Sequence, residues 1–241
     1  MTLKAVLFDF NGIIINDEAI HERLLEEVLL EENLRFSAAE FRQYSLGRSD
    51  RAALTDLCNL RGRVLTDAAL QGLIQRKLQA YQAHLAALET LPIYEGVVEF
   101  IQTLRAADCI LAIVSGALRV EIEWVLDRLD LRSEFPVIVS GDEILSSKPD
   151  PQGYRLGFER LRSMFPDLNL QLDDCLAIED SFPGIQAAKA AGLEVVGVAN
   201  TYPFHMLHRT ATWAVDHLGQ LDLDRFLPPA SKEVEEAEAA P

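Results

Sequence analysis

The feature of this sequence that most constrains its fold is a series of short apolar segments that alternate with stretches of helical periodicity. Most of the apolar segments lack the polar/apolar alternation that is typical of a strand with one solvent-exposed face. Five are predicted to be strands: Ala5–Phe10, Ile110–Ser115, Val137–Ser140, Cys175–Glu179 and Val195–Ala199. Strands of this kind are typical of parallel sheets that are buried on both faces.

Helical patterns separate these strands along the second part of the chain. They cover Val97–Ala107, Leu118–Leu129, Pro151–Met164 and Pro183–Ala191, and a further short strand is predicted at Trp213–Val215. Strands that alternate with helices of this length indicate βαβ units. The sequence therefore predicts an α/β fold with a doubly wound parallel sheet.

One long segment after the first strand has no predicted strand. Asp17–Glu32 carries an apolar stripe, Ser37 and Glu40 have the spacing of a capping box, and Thr66–Leu88 is a long amphipathic stretch. These patterns predict an all-helical module inserted after the first strand of the sheet.

The predicted domain organisation is therefore discontinuous. Residues 1–15 and 90–228 form the core domain, and residues 16–89 form the inserted helical domain. Residues 229–241 are an acidic end without aromatic residues, which we expect to be solvated and disordered.

Charge and cysteine usage limit the partners and the compartment. The chain has 22 Lys and Arg against 38 Asp and Glu, a net charge of −16, which argues against a broad surface for nucleic acid or anionic membranes. The sequence has no apolar run that approaches the roughly 18 residues of a membrane span and no recognisable signal peptide. Cys58, Cys109 and Cys175 are widely spaced and predict buried, reduced thiols in a cytoplasmic protein.

Polar residues follow four of the predicted strands. These strand ends carry Asp9 to Gly12, Ser115 with Gly116, Lys148 in Ser147–Pro151, and Glu179 with Asp180. Ligands of open parallel sheets bind at the carboxyl edge of the strands, so these groups are expected to converge there. Clustered acids suit a hard cation such as Mg²⁺, and a serine, backbone amides and a lysine suit phosphoryl oxygens. The combination predicts phosphoryl transfer, with a carboxylate as nucleophile.

Each of these residues also has a purely structural interpretation. Asp9 has the character of a turn residue or a helix cap, and Ser115 with Gly116 is common in strand-to-helix turns. Asp150 and Asp180 stand where they would cap the helices that follow them. The functional interpretation rests on the four strand ends taken together.

Four motifs carry a family resemblance. They read FDFNG at 8–12, IVSGA at 113–117, SKPDP at 147–151 and IEDSFPGIQAAKAAG at 178–192. The chain resembles the haloacid dehalogenase superfamily of phosphohydrolases over roughly residues 3 to 218. It is most similar to the branch that includes β-phosphoglucomutase and phosphoglycolate phosphatase, in which a helical cap domain lies between the first two motifs.

The resemblance implies a Mg²⁺ site and a covalent mechanism. It makes Asp9 the nucleophile and a metal ligand, and it assigns the backbone carbonyl of Asn11 to the metal. Glu179 and Asp180 would complete the metal site, directly or through water.

The resemblance also implies residues that hold the phosphorylated substrate. Ser115 and the amide of Gly116 would bind the phosphoryl group, and Lys148 would neutralise the nucleophile and the phosphate. In the predicted cap, His21 matches a hinge histidine of the phosphoglucomutase-like members, and Arg48 lies in a polar loop suited to a phosphate or carboxylate. A packing role for His21 and a surface ion pair for the arginines of this loop are the structural alternatives.

Asn11 departs from the family pattern. The family has a second aspartate here, which acts as general acid and base, and an amide has no titratable proton for that role. Four explanations are open: a natural subgroup with altered turnover, an engineered substitution, a binding or regulatory relative that has lost catalysis, and deamidation at Asn11-Gly12.

The sequence thus predicts a Mg²⁺-dependent phosphatase of a small phosphorylated metabolite, such as a sugar phosphate or a phosphoglycolate-like acid. The alternatives are a β-phosphoglucomutase-like phosphomutase and a catalytically impaired relative that binds metal and phosphate. We expect a monomer with no nucleic-acid or membrane partner. A dehalogenase is disfavoured, because Lys148, Glu179 and Asp180 suit a metal and phosphate site better than a halide cradle.

Overall fold

The fold is built on one parallel sheet. A computed structural model of the protein describes residues 3–227. The strands are β1 (Ala5–Phe8), β2 (Ile110–Val114), β3 (Val137–Val139), β4 (Cys175–Glu179), β5 (Glu194–Val198) and β6 (Trp213–Val215). Their order is β3-β2-β1-β4-β5-β6, and each neighbouring pair is parallel. The predicted α/β fold with a doubly wound parallel sheet is confirmed.

A helical insertion follows β1, as the missing strand signals predicted. Its helices are α1 (Glu18–Glu31), α2 (Ala38–Ser45), α3 (Asp50–Leu60) and α4 (Asp67–Ala86). The predicted capping box is present, since the Ser37 hydroxyl accepts from the amide of Glu40 while the Glu40 carboxylate accepts from that of Ser37. Ser49 and Thr66 likewise cap α3 and α4. The insertion has its own apolar centre, formed by residues such as Leu29, Leu54 and Leu73.

The remaining helices of the described residues pack on the sheet. They are α5 (Val97–Ala106), α6 (Arg119–Arg128), α7 (Gln152–Met164), α8 (Phe182–Ala190) and the short α9 (Phe204–Leu207). Alternate strand residues bury into two separate apolar layers, for example Phe8 in one and Leu7 in the other. The four predicted core helices are confirmed to within a few residues, and α9 had no sequence signal.

The structure also bears on the predictions about cysteines, membrane spans and the acidic end of the chain. The cysteines Cys58, Cys109 and Cys175 are buried and free, as predicted. No helix in residues 3–227 has the length and the apolar character to cross a membrane. The acidic end predicted at 229–241 lies outside the described residues, and the proposed domain boundaries remain predictions.

The strand order explains where a site can form. From β1 the chain runs outward in one direction through β2 and β3, and then in the other through β4, β5 and β6. This reversal places a crevice at the carboxyl ends of β1 and β4, where the loops on either side diverge. The amide of Asp9 donates to the carbonyl of Ile178, which holds the ends of these two strands side by side.

Candidate active site

Three carboxylates meet at the carboxyl ends of β1 and β4. Asp9 follows β1, Glu179 is the last residue of β4, and Asp180 follows it. One oxygen from each lies within 4.8 Å of the others. All three residues are buried, with 4%, 0% and 2% of their surface exposed. The sheet register produces this cluster, because Phe8 of β1 pairs with Ile178 of β4.

Lys148 is the cation at the centre of this cluster. Its Nζ lies 2.9 Å from Asp9 Oδ1 and donates to Glu179 Oε1 at 2.6 Å. The phenol of Tyr154, in α7, donates to the same Glu179 oxygen at 2.6 Å, and the hydroxyl of Ser181 donates to its other oxygen at 3.2 Å. Glu179 is therefore fully engaged in hydrogen bonds and aligns Lys148 towards Asp9.

The cluster carries more negative than positive charge. Burial, and then the neighbouring Glu179, raise the pKa of Asp9 to about 7 despite Lys148. Burial and the same two carboxylates raise the pKa of Asp180 well above its usual range. Burial opposes ionisation of Lys148, but Asp9 and Glu179 raise its pKa above the ordinary value. Buried carboxylates in excess over cations are stabilised by a bound metal ion.

The chemistry of the donors fits a small divalent cation. Asp9 and Asp180 offer carboxylate oxygens, which Mg²⁺ prefers, and Glu179 is occupied by Lys148 and Tyr154. Asp180 is held by the hydroxyl of Thr201. Gly12 has a φ of +80°, and any side chain there would collide with Asp180. The loop after β1 can therefore pass close to Asp180 only because residue 12 is glycine.

A second group of polar atoms faces the cluster from β2. The Oγ of Ser115 accepts from the amide of Ala117 at 3.0 Å and lies 3.4 Å from the side-chain oxygen of Asn11. Gly116, the next residue, has no side chain and is half-buried. Ser115 and Gly116 line the same cleft as Asp9 and Asn11, so the residues predicted to bind phosphoryl oxygens are brought together.

The helical insertion closes over this cleft. The loop before α3 lies so close to Gly116 that a Cβ there would come within 2.9 Å of the backbone of Arg48 and Ser49. The amide of Ser49 donates to the hydroxyl of Ser147, next to Lys148, at 2.8 Å. Contact of this kind removes bulk water from the carboxylate cluster, which strengthens the electrostatic interactions inside it.

Asn11 has partners that the sequence did not reveal. Its Nδ2 lies 3.0 Å from both carboxylate oxygens of Asp17 and 3.1 Å from Nε2 of His21. Asp17 is fully buried and also accepts from the phenol of Tyr81, in α4. An amide nitrogen directed at a buried carboxylate is the favourable orientation, and it turns the amide oxygen of Asn11 towards Ser115.

His21 belongs to the same network. Its Nε2 lies 3.1 Å from Asp17 and its ring stacks on Tyr81 with centroids 4.6 Å apart. Burial and Lys77 lower the pKa of His21, but Asp17 outweighs them and raises it. The spacing of Asp17 and His21 on one helix turn was visible in the sequence. Tyr81 is 60 residues beyond His21, and no pattern pointed to it.

Arg48 also lines the cleft, but its guanidinium is turned into the insertion. It donates to Asp56 at 2.7 Å and to the carbonyl of Tyr44 at 3.1 Å. Three further charged residues of the insertion line the cleft: Glu18, Asp50 and Lys77. Lys77 lies in the middle of a long amphipathic helix, where no sequence pattern distinguishes it from its neighbours.

Comparison with known proteins identifies a family that shares the motifs of this site. The family model described as haloacid dehalogenase-like hydrolase matches residues 3–192. The chain belongs to this family. The matched region covers all four motifs and the helical insertion between the first two of them, so the resemblance inferred from the motifs is confirmed.

Individual relatives cover nearly the whole chain. The chain is 28% identical over 223 residues to protein CbbY of Rhodobacter capsulatus, which covers 90% of this chain and 95% of that protein. It is also 28% identical over 200 residues to the phosphorylated carbohydrates phosphatase of Thermotoga maritima, covering 83% and 87%.

Among solved structures, a mutant of CbbY from Rhodobacter sphaeroides in complex with xylulose-(1,5)bisphosphate has the same fold. The TM-score is 0.77 at 22% identity, covering 92% of this chain and 97% of that one.

Proposed function

We propose that the chain is a Mg²⁺-dependent phosphatase of a small phosphorylated metabolite, acting through an aspartyl-phosphate on Asp9. The observation that supports this most strongly is the buried cluster of Asp9, Glu179 and Asp180 around Lys148, next to Ser115. Several similar proteins are named as phosphatases, including that of T. maritima.

In this proposal the metal ligands are Asp9, Asp180 and the backbone carbonyl of Asn11. Glu179 belongs to the outer shell, because its oxygens already accept from Lys148, Tyr154 and Ser181. Bound Mg²⁺ would supply positive charge that offsets the phosphoryl oxygens and keeps Asp9 ionised.

In the proposed covalent reaction, Asp9 is the nucleophile and other residues of the cleft bind the phosphoryl group. A carboxylate oxygen of Asp9 attacks phosphorus, the ester bond breaks, and the alcohol oxygen leaves with the bonding electrons. Water then attacks the phosphorus of the aspartyl-phosphate, which releases phosphate and restores Asp9. Ser115, the amide of Gly116 and Lys148 would hold the phosphoryl oxygens through both steps, which their positions beside Asp9 support.

Proton transfer is the step for which this chain is poorly equipped. At the position where the family has its acid and base, the Asn11 amide donates to Asp17 and offers only an oxygen to Ser115. We propose slow turnover, most of all for esters whose alcohol needs a proton to leave. A phosphomutase would share the metal and phosphate sites and would convert an isomer without releasing phosphate.

The proposal is tested by measuring phosphate release from a panel of phosphorylated metabolites, with Mg²⁺ and with a chelator. We expect turnover only with the metal, and its loss in Asp180→Ala. Asp173→Ala is the matched control, because Asp173 is an exposed acid close to the start of β4. Isomer conversion without free phosphate would indicate the mutase, and binding without turnover a regulatory relative. Full activity of Asp180→Ala would disprove the metal assignment.

We also propose that the protein acts as a monomer in the cytoplasm, on a diffusible metabolite. The buried free thiols Cys58, Cys109 and Cys175 are consistent with a reducing compartment.

A further inference from the structure

The side of the cleft formed by the helical insertion contains a buried lysine that the proposed mechanism does not use. Lys77, in α4, is 1% exposed and lines the same cleft as Asp9 and Ser115. A lysine in such a place is a natural partner for an anionic group on the substrate. The groups that already surround its ammonium therefore decide what this part of the cleft accepts.

Two carboxylates face this one ammonium. Asp50, the first residue of α3, accepts from Lys77 Nζ at 2.6 Å. Glu121, in α6 of the core, is 1% exposed, and its Oε1 lies 3.7 Å from the same nitrogen. Within residues 3–227 this oxygen has no hydrogen-bond partner, while Oε2 accepts from the amide of Leu118 at 2.9 Å.

The charge balance leaves no surplus of positive charge. Burial lowers the pKa of Lys77, but Asp50 and Glu121 outweigh it and raise the pKa above its ordinary value. Burial raises the pKa of Glu121. With Glu121 protonated, Asp50 and Lys77 cancel, and with Glu121 ionised the group is net negative. Neither state offers a positive charge to a second anion on the substrate.

We infer that Asp50 is a specificity-determining residue: by neutralising Lys77 it restricts the cleft to phosphomonoesters whose alcohol part is uncharged and hydroxylated. This inference rests on the proposed phosphatase function. The remaining N–H groups of Lys77 donate to a substrate hydroxyl, and the second carboxylate oxygen of Asp50 accepts from one. Leu25, Phe41 and Ala53 line the cleft beside them and suit the carbon skeleton.

An ester with a second phosphate or a carboxylate is disfavoured for the same reason. Its extra anion would stand next to Asp50, while the lysine and arginine side chains of the insertion that line the cleft, Lys77 and Arg48, are already paired with Asp50 and Asp56. A single unbalanced charge a few Å away is worth about tenfold or more in affinity, even at an effective dielectric constant near 20. This expectation sets the chain apart from the CbbY structure of R. sphaeroides, which contains a bisphosphate.

The experiment compares two esters that differ only in this charge. 2-Hydroxyethyl phosphate and 2-phosphoglycolate have the same phosphoryl group, and only the second carries a carboxylate. We expect kcat/KM of the full chain with Mg²⁺ to favour 2-hydroxyethyl phosphate by at least tenfold. Glucose 1-phosphate should be preferred over glucose 1,6-bisphosphate in the same way.

Substitution of Asp50 tests the cause of this preference. Asp50→Asn removes one carboxylate from Lys77, so it should shift both ratios towards the anionic ester by about tenfold or more. Asp67→Asn is the matched control, because Asp67 is the first residue of α4 and is exposed. If Asp50→Asn does not fold, Glu121→Gln, which keeps the bond from Leu118, should shift the ratios less and in the same direction.

The outcomes separate this inference from the proposed function. A wild-type preference for phosphoglycolate or the bisphosphate, or a folded Asp50→Asn with unchanged ratios, would overturn the inference while the phosphatase stands. If no ester is hydrolysed, the same ligands are titrated calorimetrically into Asp9→Asn with and without Asp50→Asn. The expected order of affinities would then support the inference and reject the phosphatase, and the reverse order would reject both.

Discussion

Replacement of Asn11 by aspartate is the most informative perturbation of this site. The amide donates to both oxygens of the buried Asp17 at 3.0 Å, so Asn11→Asp puts a second carboxylate against the first. Two unit charges about 3 Å apart repel by roughly 5 kcal/mol at an effective dielectric constant near 20. The pair should therefore keep one proton at neutral pH, as paired carboxylates in enzymes do.

That proton is what the present site lacks. General acid and base catalysis typically contributes 10²–10⁴-fold, or about 3–5 kcal/mol of the barrier. The gain should depend on the substrate, because an aryl oxide leaves without a proton and an alkoxide does not. We expect Asn11→Asp to raise turnover of 4-nitrophenyl phosphate by about tenfold or more, and that of an alkyl phosphate by about a hundredfold or more.

The parent chain should also show which of its two steps is slow. With 4-nitrophenyl phosphate the first step needs no acid, while hydrolysis of the aspartyl-phosphate needs a base. A burst of nitrophenolate close to one equivalent per chain should therefore precede slow steady turnover. In Asn11→Asp the burst should shrink or disappear, because the second step is faster.

The gain in rate should come with a loss of stability. Two hydrogen bonds to the buried Asp17 are replaced by a contact between carboxyl groups, which should cost about 1–3 kcal/mol in the free energy of unfolding. Asn11→Ala removes the amide without adding an acid and should show no gain in rate. Asn169→Asp adds the same charge at an exposed position and should change neither quantity. An unchanged or lower rate in a folded Asn11→Asp would refute the view that Asn11 limits an otherwise standard mechanism.

Three further predictions concern groups outside the reacting atoms. Glu143 accepts from Arg160 and Ser140, and although its partial burial opposes ionisation, these donors lower its pKa to about 2. Because the folded-state pKa is depressed, this stabilisation is present above about pH 4.5 and is lost as the pH falls towards 2. Glu143→Gln should therefore unfold about 1–3 kcal/mol more easily at pH 7 and lose less stability between pH 4.5 and 2, as measured by urea denaturation. Tyr81→Phe leaves Asp17 without one donor and should lower the free energy of unfolding by about 1–3 kcal/mol, and an unchanged Tm would contradict the packing around Asp17. Gly12→Ala should abolish phosphatase activity and Mg²⁺-induced thermal stabilisation together, because its Cβ would collide with Asp180, whereas the exposed Gly62→Ala should keep both.

The sequence was most informative about elements whose structure depends on local pattern and on burial. Strands without alternation predicted a parallel sheet, and parallel strands carry their loops to one common edge. Asp9, Ser115, Lys148 and Glu179 could therefore be assigned to one place from their positions after strands. The capping box at the start of α2 was likewise visible, because it is made within four neighbouring residues.

Other elements had no local signature. The short helix α9 contains a single turn and was missed. The position of Arg48 in a polar loop predicts a ligand of the substrate, but the direction of its guanidinium, towards Asp56, depends on how α3 packs. The identity of a residue indicates which bonds it can make, whereas the fold decides which partners are near enough to make them.

The sequence by itself determined the sheet, the helical segment within it and the residues that meet at the carboxyl edge. Only the tertiary structure decided what surrounds Asn11 and Lys77, because the partners of these two residues come from separate elements. Asn11 meets Asp17, which also accepts from Tyr81 of α4, and Lys77 meets Asp50 from α3 and Glu121 from the core. Such contacts depend on how the insertion closes on the sheet, since a buried charge is stabilised by whatever that closure brings beside it.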